Sequence, residues 1–301
     1  MELIYSGSVK EIYQVSGKNE VEFHFTDKIS VFDKPIPSLI PRKGETLCRT
    51  AAYWFKVAEE MGIKTHFIEQ TSPTSMRVKQ IQVIKDYSLI TPDTTRYLIP
   101  CEFITRYYVA GSLFDRIKSG DLQARDLGGG DAREVRYGDK LPQPFFETTT
   151  KVERVDRKID FDVAIKISGI DEGTLKEIRE SILQLDERIN RDVLKRGLIH
   201  VDGKKEFAMD EDRNLMIIDV FGTADEDRFW DAEKYAHNEW IEMSKEVVRQ
   251  YYRKIGYKDA LYTARDENRP EPDIPPLPDD MIERVSEVYI DIFEKITGKK
   301  F

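Results

Sequence analysis

Apolar and polar positions alternate over residues 3–5, 11–15 and 21–25, with Gly7 and then Gly17, Lys18 and Asn19 between the runs. A period of two broken by turn formers predicts strands of an antiparallel sheet. Leu47, Ala51, Trp54, Phe55, Ala58 and Met61 recur at helical spacing, and Gly62 behind them is the stop. Strand-like runs return at 76–84 and 97–105, the second after the turn-forming Thr91, Pro92, Asp93 and Thr94. From about Ser112 the balance shifts toward helix. Asp171 is placed to cap a helix carrying Leu175, Ile178, Ile182, Leu185, Ile189 and Val193, closed by Gly197. Tyr235, Trp240, Met243, Val247, Tyr251 and Ile255 predict another long helix before Gly256. Between these two, residues 198–201 and 215–218 read as short apolar strands flanking a turn at 210–214. The proline-rich stretch 269–278 lacks the donors a helix needs and reads as an extended arm, after which Met281, Val285, Val288, Ile292 and Ile296 mark a last helix. Gly128, Gly129 and Gly130, in polar surroundings, read as a mobile surface loop.

A chain of 301 residues can bury a sizeable core, and two lobes with a cleft fit that length. The 47 Lys and Arg against 56 Asp and Glu leave a net charge of -9, which repels a polyanionic backbone and argues against a nucleic-acid partner. Cys48 and Cys101 are too few for a disulfide framework and lack the paired spacing of a zinc site, so a reducing compartment is expected. No run approaches the roughly 18 apolar residues of a membrane span, and residues 1–10 have no signal-like apolar core; the expectation is a cytoplasmic protein with no membrane partner.

Candidate chemistry is concentrated in a few places. Gly7, Ser8, Val9 and Lys10 lie where one strand turns into the next, where backbone amides can approach phosphate oxygens and Lys supplies charge; an ordinary hairpin with a solvated lysine has the same pattern. Asp202, Lys204 and Glu206 alternate at period two and would share one face if the strand ending at Val201 continues, either as a site or as a surface ion-pair ladder. Asp219 closes four apolar residues, a position from which a carboxylate can hold Mg²⁺ against nucleotide phosphates. Arg106, Gly111, Ser112 and Arg228 could form a phosphate clamp of guanidinium fork, tight turn and hydroxyl, although either arginine could equally be a surface salt bridge. Lys151, after Thr148 to Thr150, reads locally as a solvated loop lysine. His24, His66, His200 and His237 form no ligand spacing, and none is assigned to catalysis. These residues leave three classes open: a small-molecule kinase, since Asp219 to Gly222 echoes a phosphotransferase site; a ligase that activates a carboxylate; and a non-catalytic nucleotide-binding regulator.

Eight segments in order narrow the choice: YSGSVKEIY from Tyr5, FTDKISVFD from Phe25, IPRKGETL from Ile40, CEFITRYYVAGS from Cys101, LPQPFFETTTK from Leu141, GLIHVDGKKEF from Gly197, LMIIDVFGTADEDRFWD from Leu215, and the segment from Pro275 to the end. Together they resemble the SAICAR synthetase family in its longer form, over nearly the whole chain. The resemblance implies an α+β fold with a kinase-like antiparallel N-terminal lobe (1–105), an ATP-grasp-like C-terminal lobe (106–301) and a C-terminal helical extension. It implies a ligase that uses ATP to join L-aspartate to the carboxylate of carboxyaminoimidazole ribotide through an acyl phosphate, in purine biosynthesis, as a monomer or homodimer. By matching position, Gly7, Ser8, Lys10 and Lys204 would bind ATP and Glu206 and Asp219 would hold Mg²⁺. Asp33, Lys43, Arg106, Ser112, Lys151, Asp156 and Arg228 would surround the other substrates, and Asp202 and Lys204 would be catalytic. Three positions depart from the family pattern: Ser8 where many members have Lys, Val155 where a His is usual, and Val220 where many have Glu.

Overall fold

The computed structural model describes residues 1–7, 9–128, 134–153 and 155–301. Ser8, Gly129 and Gly130 lie outside these described residues, and with them the phosphate contact expected of Ser8 and most of the triple-glycine loop. The chain is a mixed α+β structure. It opens with strands β1 (Glu2–Ser6), β2 (Lys10–Gln14) and β3 (Glu20–Phe25), the hairpin β4 (Lys28–Val31) and β5 (Lys34–Leu39), helix α1 (Lys43–Glu60), and strands β6 (Phe67–Ser72) and β7 (Ser75–Lys79). Five of these strands make an antiparallel sheet in the order β1-β2-β3-β7-β6. Val21, Phe23 and Phe25 alternate inward from β3, and the stripe Leu47, Ala51, Trp54, Phe55 and Ala58 of α1 is buried in the same core cluster. The strand run expected at 76–84 stops at Lys79, where the chain leaves the sheet.

The rest of the chain builds a second sheet and its covering helices: β8 (Tyr97–Tyr108), α2 (Gly111–Ser119), β9 (Lys140–Thr150), β10 (Lys158–Ile159), α3 (Phe161–Ser168), α4 (Glu172–Leu194), β11 (Leu198–Met209), β12 (Leu215–Ile218), β13 (Asp227–Asp231), α5 (Ala232–Ala236), α6 (Glu246–Lys254), α7 (Tyr257–Asp266) and α8 (Asp279–Thr297). The sheet order is β10-β9-β8-β11-β12, with β13 also on β11. The boundary expected at 105/106 falls within β8; the change from one sheet to the other lies between Lys79 and Tyr97. Asp171 caps α4 as expected, accepting the Thr174 amide at 2.7 Å. The arm over 269–278 is non-helical, and α8 follows it and packs along α1.

The long helix expected through Tyr235 and Ile255 is not formed. The chain leaves α5 at Ala236, Asn238 adopts a left-handed φ of 60°, and Glu242 bridges back to Trp230 before α6 begins. Glu242 is buried there, accepting Trp230 Nε1 at 2.9 Å and Tyr137 Oη at 2.8 Å. Helical spacing of apolar residues reports only that each is wanted inside; here tertiary contacts override the period.

Candidate active site

One face of the second sheet carries the polar residues. The antiparallel register sets Arg106 opposite Asp202, Ile104 opposite Lys204 and Glu102 opposite Glu206 on β8 and β11, with Arg228 of β13 on the far side of Asp202. Residues at period two share a face, so β11 does continue past Val201 and presents Asp202, Lys204 and Glu206 together. A cleft of about 520 Å³ opens over this face, lined among others by Arg106, Ser112, Asp202, Lys204, Glu226 and Arg228. Its lining also includes Phe32, Tyr262 and Lys258, the last two on α7, and Arg249 and Arg253 on α6.

Past Lys204 and Glu226, the members of this group that line the cleft, lysines meet carboxylates; this side is called the lysine end. Glu102 and Glu206 face each other directly, an arrangement that repels unless cations intervene. Lys151 bridges them at 2.9 and 2.7 Å, and Lys204 reaches Glu102 at 2.8 Å, Glu206 at 3.3 Å and Glu226 at 3.1 Å. Burial alone would raise the Glu206 carboxyl, but the Lys151 and Lys204 ammoniums hold it at about 2. The same carboxylates lift Lys204 well above its usual range against the effect of burial. Lys10 of β2 pairs with Asp219 and lies over the Phe23 ring at 4.4 Å; burial, only partly offset by Glu206 and Glu226, pulls its pKa down to about 8. Asp219 takes a left-handed φ of 58° where β12 ends, which turns its carboxylate out of the strand. Gly7 closes the preceding turn through its amide to the Lys10 carbonyl at 2.9 Å.

At the other end the cations are guanidiniums. Arg106 donates to Glu147 at 2.7 Å, to Asp202 at 3.2 Å and to Ser112 Oγ at 3.1 Å. Arg228 donates to the same Asp202 oxygen at 2.9 Å and lies 3.5 Å from Glu246. Asp202 therefore spaces two forks side by side. A Cβ on Gly111, whose φ is 52°, would lie 2.5 Å from the Arg228 guanidinium, so only glycine lets the start of α2 approach it. Arg106, Gly111, Ser112 and Arg228, expected together, lie together, with both guanidiniums paired to carboxylates.

Other expected residues fall around these two ends. Lys151 is the first residue after β9, paired and only partly exposed, not a solvated loop lysine; the Thr-rich run before it is strand. Asp156 lies on the surface beside the lysine end, its carboxyl partly shielded from water by its neighbours; that partial desolvation, with Glu102, raises its pKa to about 6 against the pull of Lys151 and Lys204. Lys43 is wholly buried behind the cleft, 2.9 Å from Asp225, which lines it. Asp33 is exposed in the β4–β5 turn beside Phe32, with Arg265 as its charged neighbour. Val155 is exposed and Val220 is buried in the core cluster. The sequence reading omitted Glu102, Glu147, Glu226, Glu246, Arg249 and Arg253. Glu102 carries the same period-two signal as Arg106; Glu147 comes from β9, Glu226 from the segment before β13, and Glu246, Arg249 and Arg253 from α6, all brought in only by tertiary structure.

The sequence profile of the SAICAR synthetase family matches residues 3–263. The phosphoribosylaminoimidazole-succinocarboxamide synthase of Thermoplasma acidophilum is 50% identical over 301 residues, spanning 100% of both chains. That of Thermoplasma volcanium is 50% identical over the same span. Among solved structures, a SAICAR synthetase (Type-2) in complex with ADP matches with a TM-score of 0.70 at 26% identity, covering 99% of this chain and 98% of the other. SAICAR-synthase from Saccharomyces cerevisiae complexed with SAICAR shares the fold at a TM-score of 0.75 and 23% identity, covering 99% and 95%. The chain belongs to the SAICAR synthetase family, carbon–nitrogen ligases that join aspartate in an ATP-dependent step of purine biosynthesis.

Proposed function

We propose that the two ends of the cleft divide the substrates: the lysine end takes the triphosphate of ATP, and the arginine end takes the phosphate of carboxyaminoimidazole ribotide. The observation that carries this reading is Lys204, which lines the cleft and also pairs with Glu102, Glu206 and Glu226. It is the lysine-end residue next to Asp202 on the same face of β11, where the γ-phosphoryl group would meet the ribotide carboxylate. A carboxylate is a poor electrophile; transfer of the γ-phosphoryl group to one of its oxygens releases ADP and makes an acyl phosphate. The amine of L-aspartate then attacks the carbonyl carbon, an amide bond forms, and phosphate leaves with the C–O bond pair. Little covalent work is asked of the protein, so positioning and charge dominate.

In this reading Gly7, Ser8 and Lys10 contact ATP phosphates, and Lys204 steadies the transferring group. Glu206 and Asp219 would hold Mg²⁺; their hard oxygen donors, balanced by lysines in the free chain, fit that ion. When bound, Mg²⁺ supplies positive charge between the phosphates. Arg106, Ser112 and Arg228 grip the ribotide phosphate, with forks suited to it. Lys43 acts through Asp225, while Asp33 stands at the rim and Lys151 and Asp156 line the ribotide and aspartate side. Asp202 spaces the arginines and, lining the cleft, is available to the incoming amine. The finer architecture is a kinase-like N-terminal lobe built on the first sheet, residues 2–79, and an ATP-grasp-like C-terminal lobe built on the second sheet from β8 onward with a helical extension, which moves the expected 105/106 boundary to before Tyr97. The protein would work in the cytoplasm on small molecules, as monomer or homodimer; among the described residues no helix is long and apolar enough to cross a membrane.

The test is ADP and phosphate release from ATP, Mg²⁺ and carboxyaminoimidazole ribotide, with and without L-aspartate, with the product's mass recorded. The expected result is aspartate-dependent release and a product heavier by aspartate minus water. ADP with a phosphorylated acceptor that persists without aspartate would point to a kinase instead.

A further inference from the structure

Behind the cleft, the opposite face of β11 carries a second set of charges that the reaction above does not use. Lys205 follows Lys204 and so projects the other way, with no exposed surface. A register shift between His200 and Asp202 on the β13 side inserts one extra residue, which turns His200 to the Lys205 face. The Lys205 ammonium contacts Asp186 of α4 and lies 3.6 Å from Asp227 of β13, both fully buried. Asp186 also accepts the Tyr107 hydroxyl of β8 at 2.8 Å, and Asp227 Oδ2 is 2.7 Å from His200 Nε2. Ligand atoms of Asp186, His200 and Asp227 lie within 4.8 Å of one another, close enough to hold a metal ion. The lysine ammonium is the cation in that space. Without it, two carboxylates would be buried together at a large desolvation cost.

The free oxygen of Asp227 has a separate job. Oδ1 accepts the Gly222 amide at 2.8 Å, and the Gly222 carbonyl accepts Trp54 Nε1 of α1 at 3.0 Å. A Cβ at Gly222 would lie 2.5 Å from the Trp54 ring, and one at Gly203 would lie 2.2 Å from Asp227 Oδ2, so two glycines make room for these contacts. The segment from 219 to 228 is thus tied at its middle, between α1 and β11. That segment carries Asp219 and Glu226 to the lysine end and Arg228 to the arginine end.

We propose that Lys205 is a positioning residue for the reaction: by pairing with Asp227 it holds the Asp227–Gly222 tie, and through it sets Asp219 and Arg228 in register with each other. This rests on the assignment of Asp219 to the ATP side and Arg228 to the ribotide side. The experiment compares Lys205→Met with Lys205→Met/Asp227→Asn and Lys205→Met/Asp227→Leu, all normalised to folded protein. Asn keeps an oxygen for the Gly222 amide without charge; Leu fills the space and keeps nothing. Asp186 retains the Tyr107 hydroxyl in each, while His200, whose partner is Asp227, keeps a polar neighbour among the double variants only in the Asn one. Lys205→Met should lose at least ~10-fold in kcat/KM, with KM rising for both ATP and ribotide, the signature of a displaced segment serving both. The Asn double variant should recover most of the loss and the Leu double variant should not. If Lys205→Met itself fails to fold, the two double variants decide the matter. Equal recovery by Leu, or unchanged KM values in Lys205→Met, would overturn the inference. Absence of aspartate-dependent turnover in the unmodified enzyme would instead defeat the substrate assignment.

Discussion

The lysine end and the arginine end of the cleft are both salt-bridged, yet their charge balance differs in sign. At the lysine end the ammoniums of Lys10, Lys151 and Lys204 face the carboxylates of Glu102, Glu206, Asp219 and Glu226, with negative charge in excess. At the arginine end Arg106, Arg228, Arg249 and Arg253 face Glu147, Asp202 and Glu246, with positive charge in excess. In the proposed reading the first takes a cation with its phosphates and the second an anion alone. The cation types differ to match. Ammoniums are compact charges that can leave a carboxylate for a phosphate by turning a flexible stem, whereas guanidinium forks hold geometry. Half-built charge networks are costly without ligand, and that cost is what a matching ligand relieves.

The largest effect should come from the lysine end. Glu206→Gln removes one of the two proposed metal carboxylates and unbalances Lys151 and Lys204, whose ammoniums it holds at 2.7 and 3.3 Å. Loss of such transition-state electrostatics is worth on the order of 100-fold or more in kcat; steady-state rates at saturating substrate check it. A rate within a few-fold of the parent enzyme would mean that this end does not carry the phosphoryl transfer. Next in size is Arg106→Lys. Lysine keeps the charge but cannot serve Glu147, Asp202 and Ser112 at once as the fork does. The expected outcome is a KM for ribotide raised by about 10-fold, the worth of one charge-assisted contact, with KM for ATP nearly unchanged. A rise in KM for ATP instead would merge the two ends into one site.

The legible part of this site follows a rule about strands. Asp202, Lys204 and Glu206 are visible in the sequence because a strand two residues per repeat puts them on one face, and β11 is unbroken from Leu198 to Met209. Glu102 was open to the same reasoning, two residues before Ile104 and four before Arg106, but nothing local says that β8 lies against β11 with Glu102 opposite Glu206. Glu226 and Glu246 have no periodic signal, since one precedes β13 in an irregular segment and the other begins α6. Fold elements divide in the same way. The first three strands, α1, the cap at Asp171 and the extended arm are set by neighbours in sequence. The break between α5 and α6 is set by Trp230 and Tyr137, which draw Glu242 across to the sheet. His200 gave no ligand spacing because its partner Asp227 is 27 residues away.

Glu242 supplies the smallest of these tests and the most selective for the arginine end. Its carboxyl is raised from 4.5 to about 7, chiefly by burial, with Arg228 pulling the other way. Below pH 4.5 folded and unfolded chains both hold this proton, and the group has no effect on stability. Between 4.5 and 7 the unfolded chain releases it while the folded chain keeps it, so stability falls as pH rises through that window and levels off above it. Glu242→Gln cannot ionise, and its side-chain oxygen can still accept Trp230 Nε1 and Tyr137 Oη. Urea unfolding of the two proteins at pH 5 and pH 8 should therefore diverge, with the variant gaining about 1–3 kcal/mol relative to the parent at the higher pH, the scale of a shift of roughly two pKa units. Because Glu242 does not itself line the cleft and bears on it through Arg228 and Glu246, KM for ribotide should move little. A large rise in that constant would show that the excess positive charge of the arginine end is tuned from behind, by a carboxylate outside the cleft.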